Sequence, residues 1–260
     1  MSRKRKEIPV AYNPATNASS PLLCKLPIEI RREIYGYVLG QQVIHILLVP
    51  RRIRHICYTS PTVPDFTRDC CPHPGMSPVP QHVPIPPSRI AVAILRTCRQ
   101  IYTEALPVLY ASNTFDINDL SAFVFLAAAI PPKGLASIRS LHVLCFAEFP
   151  PLRGESSKSA FEAPFDDATF MQFWTVLATR TPALRELRMA THHSIWTGTI
   201  DIKDEWVQPV KRVKGLDIFE MGLAGNHFTQ DLACMRRDEA HVERFSARLR
   251  ETLCDRHHNG

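Results

Sequence analysis

A six-residue pattern recurs three times in the second half of the chain, and each copy follows a stretch with helical periodicity. The pattern is apolar, basic, any, Leu, any, apolar. It reads Ile138-Arg139-Ser140-Leu141-His142-Val143, then Leu184-Arg185-Glu186-Leu187-Arg188-Met189, then Val213-Lys214-Gly215-Leu216-Asp217-Ile218. The helical stretches before the copies are 119–130, 167–180 and 203–212, the last weakened by Pro209. Helix, short turn, strand, repeated, is the grammar of a parallel sheet with right-handed crossovers. The central leucines are 46 and 29 residues apart, so the second spacing has leucine-rich-repeat length and the first carries an insertion. In each strand, Leu and the apolar residue two positions on should face the helices. His142, Arg188 and Asp217 then share the opposite face and become candidate partner-recognition residues.

The first half is organised differently. Residues 1–20 carry Pro, Asn, Ser and Thr without periodicity and read as a disordered basic tail. Order begins at PLLCKLPIEIRREIYGYVLG, where Pro27 suits a first helical turn. Ile30, Ile34 and Val38 recur every four residues as one stripe of a helix, and Gly40 fits a left-handed closing position. VIHILLV and RIRHICYT, joined at Pro50-Arg51, read as a β-hairpin. Nine of the 22 prolines then fall between positions 61 and 87, which makes 59–88 a long surface loop. The stretch 88–110 reads as a helix with Ala91, Leu95, Cys98, Tyr102, Ala105 and Leu109 on its apolar stripe, kinked or interrupted at Pro107. A terminal helix shows Val242, Phe245, Leu249 and Leu253 on one face.

Charge and cysteine usage narrow the function classes. The net charge of +6 is local: residues 1–60 hold 10 Lys/Arg against 3 Asp/Glu. The pI near 9.0 therefore describes an N-terminal segment and not a basic domain. The basic start lacks an apolar core, so it is no secretory signal. The longest nearly apolar run, Ala122–Ile130, is about half of the ~20 residues that span a bilayer. An intracellular protein, cytoplasmic or nuclear, with no membrane partner is expected. Its eight cysteines lack framework spacing and read mostly as small core residues.

Catalytic motifs are absent: no phosphate-binding loop, no G-x-G-x-x-G, no G-x-S-x-G and no H-E-x-x-H. Gly222-Leu223-Ala224-Gly225 reads as a turn, and Asp201, Asp204 and Glu205 as a helix start. Cys70, Cys71 and His73, with Cys57 and His82 near in sequence, form the best zinc candidate, but adjacent cysteines rarely deliver tetrahedral geometry. No metal site and no cofactor is expected. Arg31, Arg32, Arg51, Arg52 and Arg54 could form one basic patch, on which an acidic partner and a nucleic acid remain alternatives.

Two segments carry a family resemblance. LPIEIRREIYGYVL, residues 26–39, resembles the opening helix of the F-box, L-P-x-E-I-x-x-x-I followed by an apolar pair. LRTCRQIYTEALPVLY, residues 95–110, resembles its later helix, and with the adjoining Asn113–Phe115 the set is similar to a fungal F-box-like family of largely unknown function. The resemblance implies a first helix that binds the small adaptor of cullin–RING ubiquitin ligases and a C-terminal domain that holds substrate. By position, Leu26, Pro27, Ile30 and Ile34 are the adaptor-facing candidates.

The expected fold is thus mixed, α+β or α/β. F-box-like helices carry an inserted β-hairpin and proline loop over 21–118, and an irregular leucine-rich-like helix–strand region follows over 119–256. The expected function is a non-enzymatic protein-interaction module, an F-box-like substrate adaptor. The alternatives are a nuclear nucleic-acid-associated protein and a cryptic zinc protein or enzyme. A nucleic-acid partner is the lesser expectation.

Overall fold

A computed structural model describes residues 20–49, 52–59, 90–117, 120–145, 167–192, 202–203, 207–224 and 232–254. The basic start, the proline loop with Cys70, Cys71 and His73, and His193-Ser194 lie outside the described residues, as do Asp201, Asp204 and Glu205. The elements in chain order are α1 (Pro21–Lys25), α2 (Ile28–Leu39), β1 (Val43–Val49), β2 (Arg52–Thr59), a 3₁₀ turn (Val92–Arg96), α3 (Arg99–Ala111) and β3 (Thr114–Ile117). They continue as α4 (Leu120–Ala129), α5 (Pro132–Ala136), β4 (Ser140–Cys145), α6 (Asp167–Arg180), β5 (Glu186–His192), α7 (Val207–Val210), β6 (Ile218–Ala224) and α8 (Leu232–Leu253).

One six-stranded sheet runs in the order β2-β1-β3-β4-β5-β6. From β1 to β6 every pair is parallel, and β2 is added antiparallel at the edge. The mixed α/β class expected from the sequence is the one observed. The hairpin belongs to the sheet itself, because β1 pairs with β3 along Val43–Ile46. The sheet therefore crosses the boundary drawn at 118/119.

Strand alternation decides which face meets the helices. Ile44, Ile46, Phe115, Ile117, Leu141, Val143, Leu187, Met189, Phe219 and Met221 all join one buried cluster with residues of α2 to α8. In register these are one face of the sheet. The opposite parity contributes nothing to that cluster among the described residues. Successive strands in chain order with helices on one side form a two-layer arrangement, whose second face carries the polar residues.

Local chemistry explains most boundaries. In α6, Phe170, Phe173, Trp174 and Leu177 recur at helical spacing, and all are buried. The rings of Phe173 and Trp174 meet edge to face at 5.0 Å, and Phe123 of α4 meets Phe173 the same way at 5.3 Å. Val242, Phe245, Leu249 and Leu253 of α8 are buried as their spacing implies.

Several expectations need correction. The stripe of α2 that enters the core is Arg31, Tyr35 and Leu39, not Ile30, Ile34 and Val38. The stretch 88–110 is two pieces. Cys98 is the N-cap of α3 and accepts from the Ile101 amide at 3.4 Å, so the 3₁₀ turn before it is separate. The helix then runs through Pro107 to Ala111 and buries Ile101, Ala105, Leu106 and Tyr110. Tyr102, expected inside, is 40% exposed. Helix α7 is only Val207–Val210, since Pro209 leaves too few donors to extend it. Gly222 to Ala224, expected as a turn, continue β6. Gly40 is extended, with φ −107, and the positive φ of 61° falls on Gln41. Gly40 is needed for close approach instead: a Cβ there would lie 2.7 Å from both the Gly36 oxygen and the Ser112 Cβ.

Candidate functional site

Two surfaces are built by this fold, one on α2 and one on the polar face of the sheet. The first depends on how α2 is anchored. The Arg31 guanidinium makes a two-point ion pair with Glu104 of α3, Nε to Oε2 at 2.8 Å and Nη2 to Oε1 at 2.7 Å. Its remaining nitrogen donates to the carbonyls of Leu26 at 2.7 Å and Leu23 at 3.3 Å. Tyr35 donates to the same carboxylate at 3.1 Å, and Gln100 does so at 3.0 Å. Hydrogen bonding from Arg31 holds the Glu104 carboxyl below its usual range, and burial first, then Glu104, pushes the Tyr35 phenol up to about 12. Arg31 is thus a buried clasp and not a member of a basic surface patch.

Asn113 completes the junction. Its amide donates to the carbonyls of Leu39 at 2.7 Å and Leu109 at 2.6 Å, and its oxygen accepts from the Gln42 amide at 2.9 Å. One buried side chain therefore ties the ends of α2 and α3 to the start of β1. The two segments that resemble an F-box are packed against each other by these bonds, although the hairpin and 30 further residues separate them in sequence.

With Arg31 turned inward, the opposite side of α2 faces out. Ile30 is 41% exposed and Tyr37 81%. Pro27 is exposed, while Leu26 and Ile34 are half-buried. Ile30, Ile34 and Tyr37 follow one another at i, i+4 and i+7, a single stripe on one helix side. The four adaptor candidates sit at or beside this stripe. Tyr37 was missed because the stripe was followed to Val38 at four-residue spacing.

The second surface is a row of side chains across five parallel strands. Register aligns His45 with Asp116, Asp116 with His142, His142 with Arg188, and Arg188 with Glu220. His45 Nδ1 lies 2.7 Å from Asp116 Oδ2. Arg188 Nε donates to Glu186 Oε1 at 2.6 Å, and its Nη1 lies 3.2 Å from Glu220 Oε2. His142 Nε2 stands 3.7 Å from Glu186 Oε1, close enough for electrostatic attraction. Ser140 donates to the other Glu186 oxygen at 3.0 Å, and Thr114 donates to Ser140 at 3.0 Å. The His142 ring first, then the Ser140 hydroxyl and the Arg188 charge, hold the Glu186 carboxyl down to about 2 against the cost of burial.

Of the three recognition candidates, His142 and Arg188 are brought together and Asp217 is not. The third sequence copy matches three residues too early: Leu187 pairs with Phe219, and Leu216 lies below β6. Asp217 aligns instead beside Arg185, whose carbonyl accepts its amide at 2.7 Å. There it borders an open cleft of about 340 Å³ at the N-terminal ends of β3 to β6, with Ser112, Arg139, Arg185 and Glu186. Glu220 takes the position assigned to Asp217. Alternation from Arg188 points to Glu186 on the same face, and Asp116 was visible in the short TFDI strand.

Among the described residues no group of three His, Cys, Asp or Glu could hold a metal ion, and no helix is long and apolar enough to cross a membrane. A family profile described as Domain of unknown function (DUF7730) matches residues 15–244. No curated protein and no solved structure matches the chain.

Proposed function

The chain belongs to the family described as Domain of unknown function (DUF7730), and from that premise we propose that it is a non-enzymatic protein-interaction module. In its sharper form, the chain is an F-box-like substrate adaptor of a cullin–RING ubiquitin ligase. The exposed stripe of α2 carries the adaptor contact, and the polar sheet face carries substrate recognition.

The observation that supports this most is the outward orientation of Ile30 and Tyr37 on α2, beside Pro27. A helix that buries an arginine and leaves an isoleucine and a tyrosine in water has its apolar surface reserved for something other than its own core. Single exposed apolar residues are common; three on one side of one helix, in the segment with the F-box-like pattern, are the specific point. The sheet face suits the second role, because its charges alternate along a rigid row and offer pairing by position. Its members are His142 and Arg188, with Asp116, Glu186 and Glu220.

The test is co-purification with the cullin–RING adaptor. The wild-type chain should form a complex at micromolar concentration. The Ile30→Ala/Tyr37→Ala double variant should lose it while keeping the circular dichroism and melting profile of the parent. Absence of any complex with the wild-type chain would remove the ligase form of the proposal. Loss of partners on Arg188→Ala, with adaptor binding retained, would separate the two surfaces.

A further inference from the structure

The two edges of the sheet are treated differently by the fold. At β6 the outer backbone groups are taken by α8: Ser246 Oγ accepts from the Met221 amide at 3.0 Å, and Arg250 Nε donates to the Phe219 carbonyl at 2.9 Å. Just below, the Leu216 amide donates to the Leu253 carbonyl at 3.2 Å. That edge is closed by a helix, one of the standard protections against strand addition. At the other end, β2 is the last strand, and among the described residues nothing pairs beyond it.

Sequence makes this edge unusual. No acidic residue occurs between Glu33 and Asp65, whereas Arg51, Arg52, Arg54, His45 and His55 all fall in the hairpin segment. Pairing with β1 is regular from Arg52 to His55, and the register slips between Ile44 and Ile46, so an irregularity ends the regular run. The regular part thus offers about four residues of ladder, with β-branched Ile53 between arginines.

We propose that the outer edge of β2 accepts an extended acidic peptide segment of a partner protein, which adds to the sheet as a seventh strand. Backbone hydrogen bonds supply the ladder, and carboxylates on the segment meet the cationic edge. A second copy of this chain is the poorer occupant, because two β2 strands side by side would bring arginines against arginines. A nucleic acid would meet the charge but has no use for a ladder of amides and carbonyls. This surface is separate from the α2 stripe and from the polar sheet face.

The experiment uses the full chain and three seven-residue probes: an alternating Glu–Val peptide, its Lys–Val counterpart, and the Glu–Val peptide with alternate amides N-methylated. The Glu–Val peptide should bind at least tenfold more tightly than either of the others. It should slow hydrogen exchange at β2 amides and leave β6 unchanged. Arg52→Glu/Arg54→Glu should invert the preference towards the Lys–Val peptide. Equal binding of the methylated peptide would overturn the proposal, since it would reveal charge attraction without a ladder. So would β2 amides already protected in the free chain, protection that grows with protein concentration, or protection by a single-stranded oligonucleotide in place of the peptide.

Discussion

The helical layer and the polar face of the sheet each hold a cluster centred on an arginine and its carboxylate partners, and their surroundings give them different tasks. The Arg31 clasp has side chains only 10% and 14% exposed and uses all three guanidinium nitrogens on Glu104 and two backbone carbonyls. The Arg188 cluster involves β5 and β6 with exposures from 17% to 38%, so its charges remain within reach of a partner. Ion pairs in protein interiors fix arrangement more than they add stability, whereas half-exposed ones can exchange partners cheaply. One cluster holds two helices together; the other is a surface with its charges already in position.

The sharpest way to break this contrast is to cut the clasp. Glu104→Ala should be the most destabilising single substitution, because it leaves the Arg31 guanidinium buried without its counter-ion. Denaturant unfolding should show a lower midpoint with unchanged slope. The double variant Arg31→Met/Glu104→Leu should recover much of that loss, as apolar replacement of a whole buried pair usually does. A double variant no better than Glu104→Ala would mean that the clasp stabilises by more than mutual neutralisation.

Next in size is the junction residue. Asn113→Ala removes three hydrogen bonds at once and strands the Leu39 and Leu109 carbonyls and the Gln42 amide. A cost of about 2–3 kcal/mol is expected for such buried groups. Asn113→Asp should recover only part of it, since a carboxylate can accept from Gln42 but cannot donate to two carbonyls.

What the sequence made legible follows from this contrast. Where apolar residues alone line the buried side, periodicity found them: α6 spans Asp167–Arg180 as expected, and the α8 stripe lies in the core. Where an arginine takes a core position, periodicity chose the wrong stripe. Arg31, Tyr35 and Leu39 have the same spacing as Ile30, Ile34 and Val38, and only the latter look apolar throughout. Glu104, 73 residues from Arg31, was the missing signal, and no local rule connects residues so distant in the chain. The sheet row was half legible for a related reason. Two pattern copies align in register, while the third was matched on Leu216 because Phe219 does not resemble a leucine in a repeat search.

Acid should act on the sheet face. Because the folded Glu186 carboxyl is depressed to about 2, its contribution is fully present above the unfolded carboxylate range near ~4.3. It is lost as pH falls from there towards 2. Discounted for its partial exposure, the effect is about 1 kcal/mol. Glu186→Gln should flatten that part of the stability profile between roughly pH 4.5 and 2. An unchanged slope in the variant would show that His142, Ser140 and Arg188 do not act on this carboxylate.

The smallest effect belongs to the exposed stripe of α2, and its smallness is the point. Ile30→Ala and Tyr37→Ala remove side chains that are 41% and 81% exposed, so each should change unfolding stability by no more than about 0.5 kcal/mol. A residue of the hydrophobic core would cost several times as much on the same truncation. If either variant instead loses about 2 kcal/mol or more, its side chain belongs to the interior. The α2 stripe would then be part of the helical layer, and the division between a buried clasp and an outward surface on one helix would fail. Stability held near the parent value, together with loss of partner binding, would fix the opposite assignment: α2 is anchored by its arginine so that its isoleucine and tyrosine stay available.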